Sequence, residues 1–91
     1  MEFRASHILV KERQLAEDLR KRILKGANFA ALARDFSTCP SKSKGGDLGW
    51  FTEGAMVKPF EEAVKRMSVG SISPVVATQF GFHVIKKTGS R

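Results

Sequence analysis

The sequence predicts an α+β domain, a sheet covered by helices in the order β-α-α-β-α-β-β. Three observations predict it. The opening segment alternates with period two, the middle segments repeat apolar residues at helical spacing, and the last twenty residues or so return to two short strands around a glycine turn. Connections this short make the sheet antiparallel or mixed, with the helices lying over it.

Phe3 to Val10 is the first strand. Phe3, Ala5, His7 and Leu9 share one face, Arg4, Ser6, Ile8 and Val10 the other. Both faces become apolar toward Val10, which places the strand centrally. Glu12 to Lys25 switches period: Leu15, Ala16, Leu19, Ile23 and Leu24 form a helical stripe that Gly26 ends. Asn28 caps a second helix with Phe29, Leu32, Ala33 and Phe36 on its stripe. Ser37 to Asp47 is rich in small polar residues, Pro40 and paired glycines, and reads as a surface loop. Leu48 to Thr52 is a short strand, and Pro59 suits the first turn of a third helix bearing Phe60, Ala63, Val64 and Met67. After a turn at Ser68–Ser71, Ile72–Val76 and Phe82–Lys87 are two strands joined through Gln79 and Gly81.

Ninety-one residues suit one small domain, taken here as 1–91, with one core and no room for a cofactor domain. The apolar runs are only a few residues long, too short to cross a bilayer. The first residues lack a basic segment followed by an apolar one, so secretion is not expected. Cys39 is the lone cysteine, which excludes an internal disulfide and suits a reducing interior; a cytoplasmic monomer is the expectation. His7, Cys39 and His83 lack the close pairing of zinc ligands, so no metal is expected.

The net charge of +7 raises the question of nucleic acid. Some of the chain's charge has a plainer use. Glu17 with Lys21, Asp18 with Arg22, Glu61 with Lys65 and Glu62 with Arg66 are acid-before-base pairs at i,i+4, the order that supports exposed helix faces. Lys42, Lys44, Lys86, Lys87 and Arg91 are scattered and read as solvated surface. A basic cluster on one face would favour nucleic acid instead.

Two histidines inside strands are the first chemical signal. His7 lies with Phe3, Ala5 and Leu9, and His83 with Ile85; on apolar faces such residues are buried hydrogen-bonding groups that can still line a site. Cys39, between Thr38 and Pro40, would need a base and an orienting group to be a nucleophile, and no cysteine-protease signature surrounds it. Gly45-Gly46-Asp47-Leu48-Gly49 is not a phosphate-binding loop, since no Lys-Ser/Thr and no helix follows; it serves as a tight turn.

Four segments in order are more specific: Ala5-Ser6-His7-Ile8-Leu9-Val10, Ser37-Thr38-Cys39-Pro40-Ser41 leading to Gly45-Gly46-Asp47-Leu48-Gly49-Trp50-Phe51, Gly54 to Glu61, and Gln79-Phe80-Gly81-Phe82-His83-Val84-Ile85. Across almost its full length the chain resembles the parvulin family of peptidyl-prolyl isomerases, and is similar to the small stand-alone bacterial parvulins. The resemblance implies a four-stranded antiparallel sheet surrounded by helices, the parvulin or FKBP-like fold. It also implies a cofactor-free enzyme acting on proline-containing unfolded or flexible polypeptides. His7, His83 and Cys39 match the family's facing histidines and the loop residue beside them, and Thr78 matches a hydroxyl near the histidines. Leu48, Met56 and Phe60 match the pocket for the proline ring, with Phe80 on its rim. Phosphate-directed members carry a basic insertion after the first strand; here Val10 runs through Lys11 and Glu12 almost directly into a helix, and no WW module is present. A polypeptide-binding chaperone module with little catalysis is the alternative on the same fold.

Overall fold

The computed structural model describes all residues from Met1 to Arg91. Its elements are β1 (Glu2–Val10), α1 (Arg13–Leu24), α2 (Phe29–Phe36), β2 (Asp47–Thr52), α3 (Lys58–Arg66), β3 (Val76–Thr78) and β4 (Gly81–Ser90), with a 3₁₀ helix over Pro40–Lys44. The strands form one antiparallel sheet in the order β2-β1-β4-β3, so β1 is central, as its two apolar faces require. No helix is long and apolar enough to cross a membrane.

Alternation along β1 and β4 divides the core in two. Ile8, Val10 and Val84 face Ala16 and Leu19 of α1 and Phe29 and Ala33 of α2. Phe3, Ala5 and Ile85 face the other way, against Phe51 of β2 and Phe60 and Val64 of α3. The side chain of Asn28 accepts the Ala31 N–H at 2.9 Å and so caps α2 as expected.

Several expectations need correction. The strand expected over Ile72–Val76 is instead a single bridge from Ile72 to Lys86, followed by β3 at Val76–Thr78. Pro74 has no N–H to give a ladder, and Ser73 takes over: its N–H donates to the Ile85 carbonyl and its Oγ accepts the Ile85 N–H. The last strand runs well past Lys87 to Ser90. The supposed surface loop contains the 3₁₀ helix and two buried glycines. Leu24 and Phe36, placed on buried stripes, are exposed at the ends of their helices. Of the four expected helical ion pairs only Lys65 with Glu61 forms. Glu17 turns back to Arg13 and Asp18 accepts from Gln14, each toward the preceding turn.

Lys87 is not solvated surface. It is buried, and its Nζ donates to the Met67 carbonyl at 2.9 Å while lying 5.1 Å from the Phe3 ring centroid. Pairing of Lys87 with Ala5 puts it on the α3 face, where its charge meets the carbonyl-rich end of that helix. At the far end of the sheet Trp50 lies over Gly89 with the Arg91 guanidinium 4.0 Å from its ring.

Gly46 starts the return into β2. Its φ of 88° lies in the left-handed region, and a Cβ there would sit 2.4 Å from the His7 carbonyl oxygen. The His7 N–H donates to the Gly46 carbonyl at 3.0 Å, so this close approach holds the site strand directly. Gly46→Ala is expected to destabilise the domain by at least about 1–3 kcal/mol from backbone strain alone, read by urea unfolding.

Candidate functional site

In the β1–β4 register His7 pairs with Ile85 and Leu9 with His83, so the two histidines are diagonal neighbours on the α3 face. Their Nδ1 atoms are 2.9 Å apart and their ring planes lie 20° from parallel. His83 Nε2 lies 2.7 Å from Thr78 Oγ1, and the same oxygen accepts the Phe80 N–H at 3.2 Å. A chain of hydrogen bonds therefore runs from His7 through His83 and Thr78 to the turn before β4. His7 Nε2 ends it, buried and without a protein partner.

Both imidazoles are buried, at 5% and 3% exposure. Burial pushes each pKa down from 6.5 to about 4, and for His7 the neighbouring His83 adds to the effect. At neutral pH the pair is uncharged. One Nδ1 then donates and the other accepts, which a doubly protonated pair could not do.

Above this floor lies an open cavity of about 460 Å³. β1 contributes His7 and Leu9, the segment after α2 contributes Thr38, Cys39 and Pro40, and β2 contributes Leu48. Ala55, Met56 and Val57 come from the β2–α3 connection, Phe60 from α3, and Phe80 and His83 from the start of β4 and the turn before it. Phe60 stands nearly perpendicular to both imidazoles, with ring centroids 5.6 Å from His7 and 5.4 Å from His83. Phe80 is 58% exposed at the mouth.

All eight residues singled out in the sequence thus meet at one place: His7, His83, Cys39, Leu48, Met56, Phe60 and Phe80 line the cavity, and Thr78 braces His83 from behind. Cys39 is half-buried, and no hydrogen bond joins its sulfur to either imidazole, so neither ring is engaged as a base for the thiol. No three His, Cys, Asp or Glu side chains are disposed to hold a metal ion. The residue reading missed Leu9, Thr38, Pro40, Ala55 and Val57. Leu9 was legible, since it shares the strand face of His7; Thr38, Ala55 and Val57 lie in irregular segments and Pro40 opens the short 3₁₀ helix, none of which has a periodic signal.

A family model described as the PPIC-type PPIase domain matches residues 2–91. The foldase protein PrsA of Bacillus subtilis is 49% identical over 89 residues, covering 97% of this chain and 30% of the relative. A crystal structure of peptidylprolyl isomerase PrsA from Bacillus anthracis matches with a TM-score of 0.98 at 44% identity, over 99% of this chain and 42% of that one. NmPin, the parvulin of Nitrosopumilus maritimus, matches with a TM-score of 0.86 at 39% identity, over 97% and 96% of the two chains. The chain spans about a third of the length of the curated foldases it matches.

The buried histidines fix the sign of a pH effect. With folded pKa values near 4 against 6.5 unfolded, the unfolded chain binds more protons between those limits, so stability rises with pH across the window. The contribution is complete above about pH 6.5 and is lost as pH falls toward about 4. The thermal midpoint should decline over that range, while NMR of the two imidazoles in the folded protein shows no proton uptake between pH 8 and about 5.5. A folded-state histidine titrating near 6.5 contradicts this assignment.

Proposed function

The chain belongs to the PPIC-type peptidyl-prolyl cis/trans isomerase domain family, and from that premise we propose how its own residues accelerate rotation about X-Pro bonds in unfolded or flexible polypeptides. Leu48, Met56 and Phe60 hold the proline ring, Phe80 closes the rim, and the carbonyl before proline turns beside Cys39 above His7 and His83. The observation that carries this reading is an apolar pocket set directly over a neutral, hydrogen-bonded imidazole pair.

Amide conjugation sets a barrier of about 18–20 kcal/mol, although the two X-Pro isomers differ by only about 0.5–1 kcal/mol. The planar amide is charge-separated and favoured by water; the twisted amide is less polar. A site that removes water from the ring and grips it while the carbonyl rotates binds the twisted form better than either planar one. No bond is made or broken, so nothing in the reaction calls for a cofactor. The neutral histidines supply no net charge. Their linked rings, braced by Thr78, form a fixed polar floor, and Cys39 offers a polar contact at the side.

Only Lys11 and Glu12 separate β1 from α1, which leaves no segment there to carry a phosphate-binding cluster. This supports a site without selection for phosphoserine before proline. A protease-coupled assay should show less than about a tenfold advantage of phosphoserine-Pro over Ala-Pro peptides, a tenfold ratio being about 1.4 kcal/mol. A hundredfold preference would refute it.

Phe60 is only 3% exposed and packs in the core with Phe51 and Val64, so truncating it to alanine removes core as well as pocket. Met56→Ala is the cleaner probe. It should lower kcat/KM roughly tenfold, corresponding to about half or more of the 1.5–3 kcal/mol of a buried large apolar side chain, with the fold intact. Unchanged activity removes Met56 from the site. Cys39→Ser and Cys39→Asp should each keep measurable activity, at a cost of about 1–2 kcal/mol in the barrier. A folded Cys39→Asp protein without activity would argue for a covalent thiol.

A further inference from the structure

We propose that Ser37 is a positioning residue for this isomerisation: its buried hydroxyl oxygen fixes the main chain of Cys39, and through it the thiol, at the side of the proline pocket. The inference rests on the isomerase reading above and names a residue that touches no substrate.

β1 pairs with β2 as far as Ser6 and Asp47, and the His7 N–H still reaches the Gly46 carbonyl. Beyond that point β2 is no longer alongside, and both main-chain groups of Leu9 need other partners. The segment after α2 supplies them. Ser37 Oγ accepts the Leu9 N–H at 3.1 Å, while the Thr38 N–H and hydroxyl both reach the Leu9 carbonyl, at 2.8 and 3.2 Å. A side-chain oxygen thus stands where a strand carbonyl would be. The same oxygen accepts the Cys39 N–H at 3.3 Å. A hydroxyl has two acceptor sites, and both are used.

Ser37 is itself held. It is 3% exposed, and its N–H donates to the Ala33 carbonyl at 3.0 Å, closing the end of α2. The Cys39 carbonyl accepts the Lys42 N–H at 3.0 Å, a bond inside the 3₁₀ turn. The main-chain N–H of Cys39 is therefore tied through Ser37 to α2 and to the strand that carries His7 and Leu9. Cys39 has no side-chain hydrogen bond to the histidines, so no polar contact of its own ties the sulfur to them, and the main chain sets where its side chain starts. Removing the hydroxyl leaves the Leu9 and Cys39 amides without acceptors and frees the thiol relative to the floor of the site.

A double-mutant cycle in kcat/KM, run well below each variant's unfolding midpoint, tests this. Ser37→Ala should lower kcat/KM roughly tenfold, in kcat more than in KM, because a misplaced group costs most at the transition state. In a Cys39→Ala background the same change should cost less than about twofold, since the group it positions is gone. Amide exchange at Cys39 should rise in Ser37→Ala. Losses that multiply in the double variant, unchanged activity in a folded Ser37→Ala protein, or unchanged protection at Cys39 would each overturn the inference. If Ser37→Ala does not fold, Ser37→Cys, nearly isosteric and a weak acceptor, goes through the same cycle with the same readings. A wild-type chain inactive on X-Pro peptides would overturn the isomerase reading itself, before the cycle begins.

Discussion

β1 and β4 pair from Phe3 with Ser90 to Val10 with Phe82, and side chains alternate across that ladder. The pairing decides which residues share a face. With His7 opposite Ile85 and Leu9 opposite His83, both imidazoles turn toward α3 and stand diagonally adjacent. A slip of one residue in either strand would send one histidine into the layer of α1 and α2 and break the chain of hydrogen bonds at its centre. The register is held by burial on both faces: Ile8 and Val84 cannot leave one core, nor Ala5 and Ile85 the other. Gly46 and Ser37 then dock the remaining walls of the site against the same stretch of β1.

Burying two titratable rings in such a small domain has an electrostatic cost, which is met by keeping both neutral and bonding them to each other. Lys87 handles a similar problem differently. Its ammonium sits beside the Met67 carbonyl and the face of Phe3, with no carboxylate among its hydrogen-bond partners. It ties β4 to the end of α3, the helix whose first turn carries Phe60. The floor of the cavity is thus tied together, and its α3 side fixed to the sheet, by polar contacts beneath the apolar surface.

The helices and the long strands were legible because burial on one face imposes a period that survives in the sequence. Asn28 was legible because a helix start needs a particular side chain. The two strand histidines could be placed on an apolar face from alternation alone, but their partnership could not, since it depends on a register between residues 76 positions apart. Ile72–Val76 misled because its apolar residues suit a strand while Pro74 denies the ladder a donor. Lys87 misled because residue type argues for water, whereas its pairing with Ala5 decides its face. Cys39, Met56 and Leu48 came from the resemblance to the parvulins rather than from periodicity, and the segments that carry Cys39 and Met56 take their path from contacts made elsewhere. Ser37 is the clearest case: its role is written in the open groups of Leu9, which no local pattern reveals.

Trp50 lies outside the cavity lining, on Gly89 and under Arg91, and the sequence contains no tyrosine. Intrinsic fluorescence of this domain is therefore a report on the closed end of the sheet, where β1, β2 and β4 come together. It follows unfolding, and Trp50 is not among the residues lining the pocket, whose aromatic members are phenylalanines and histidines that emit too weakly to be followed. Binding at the site is followed more directly by a probe on the peptide or a resonance of the imidazoles, both of which report from the pocket itself.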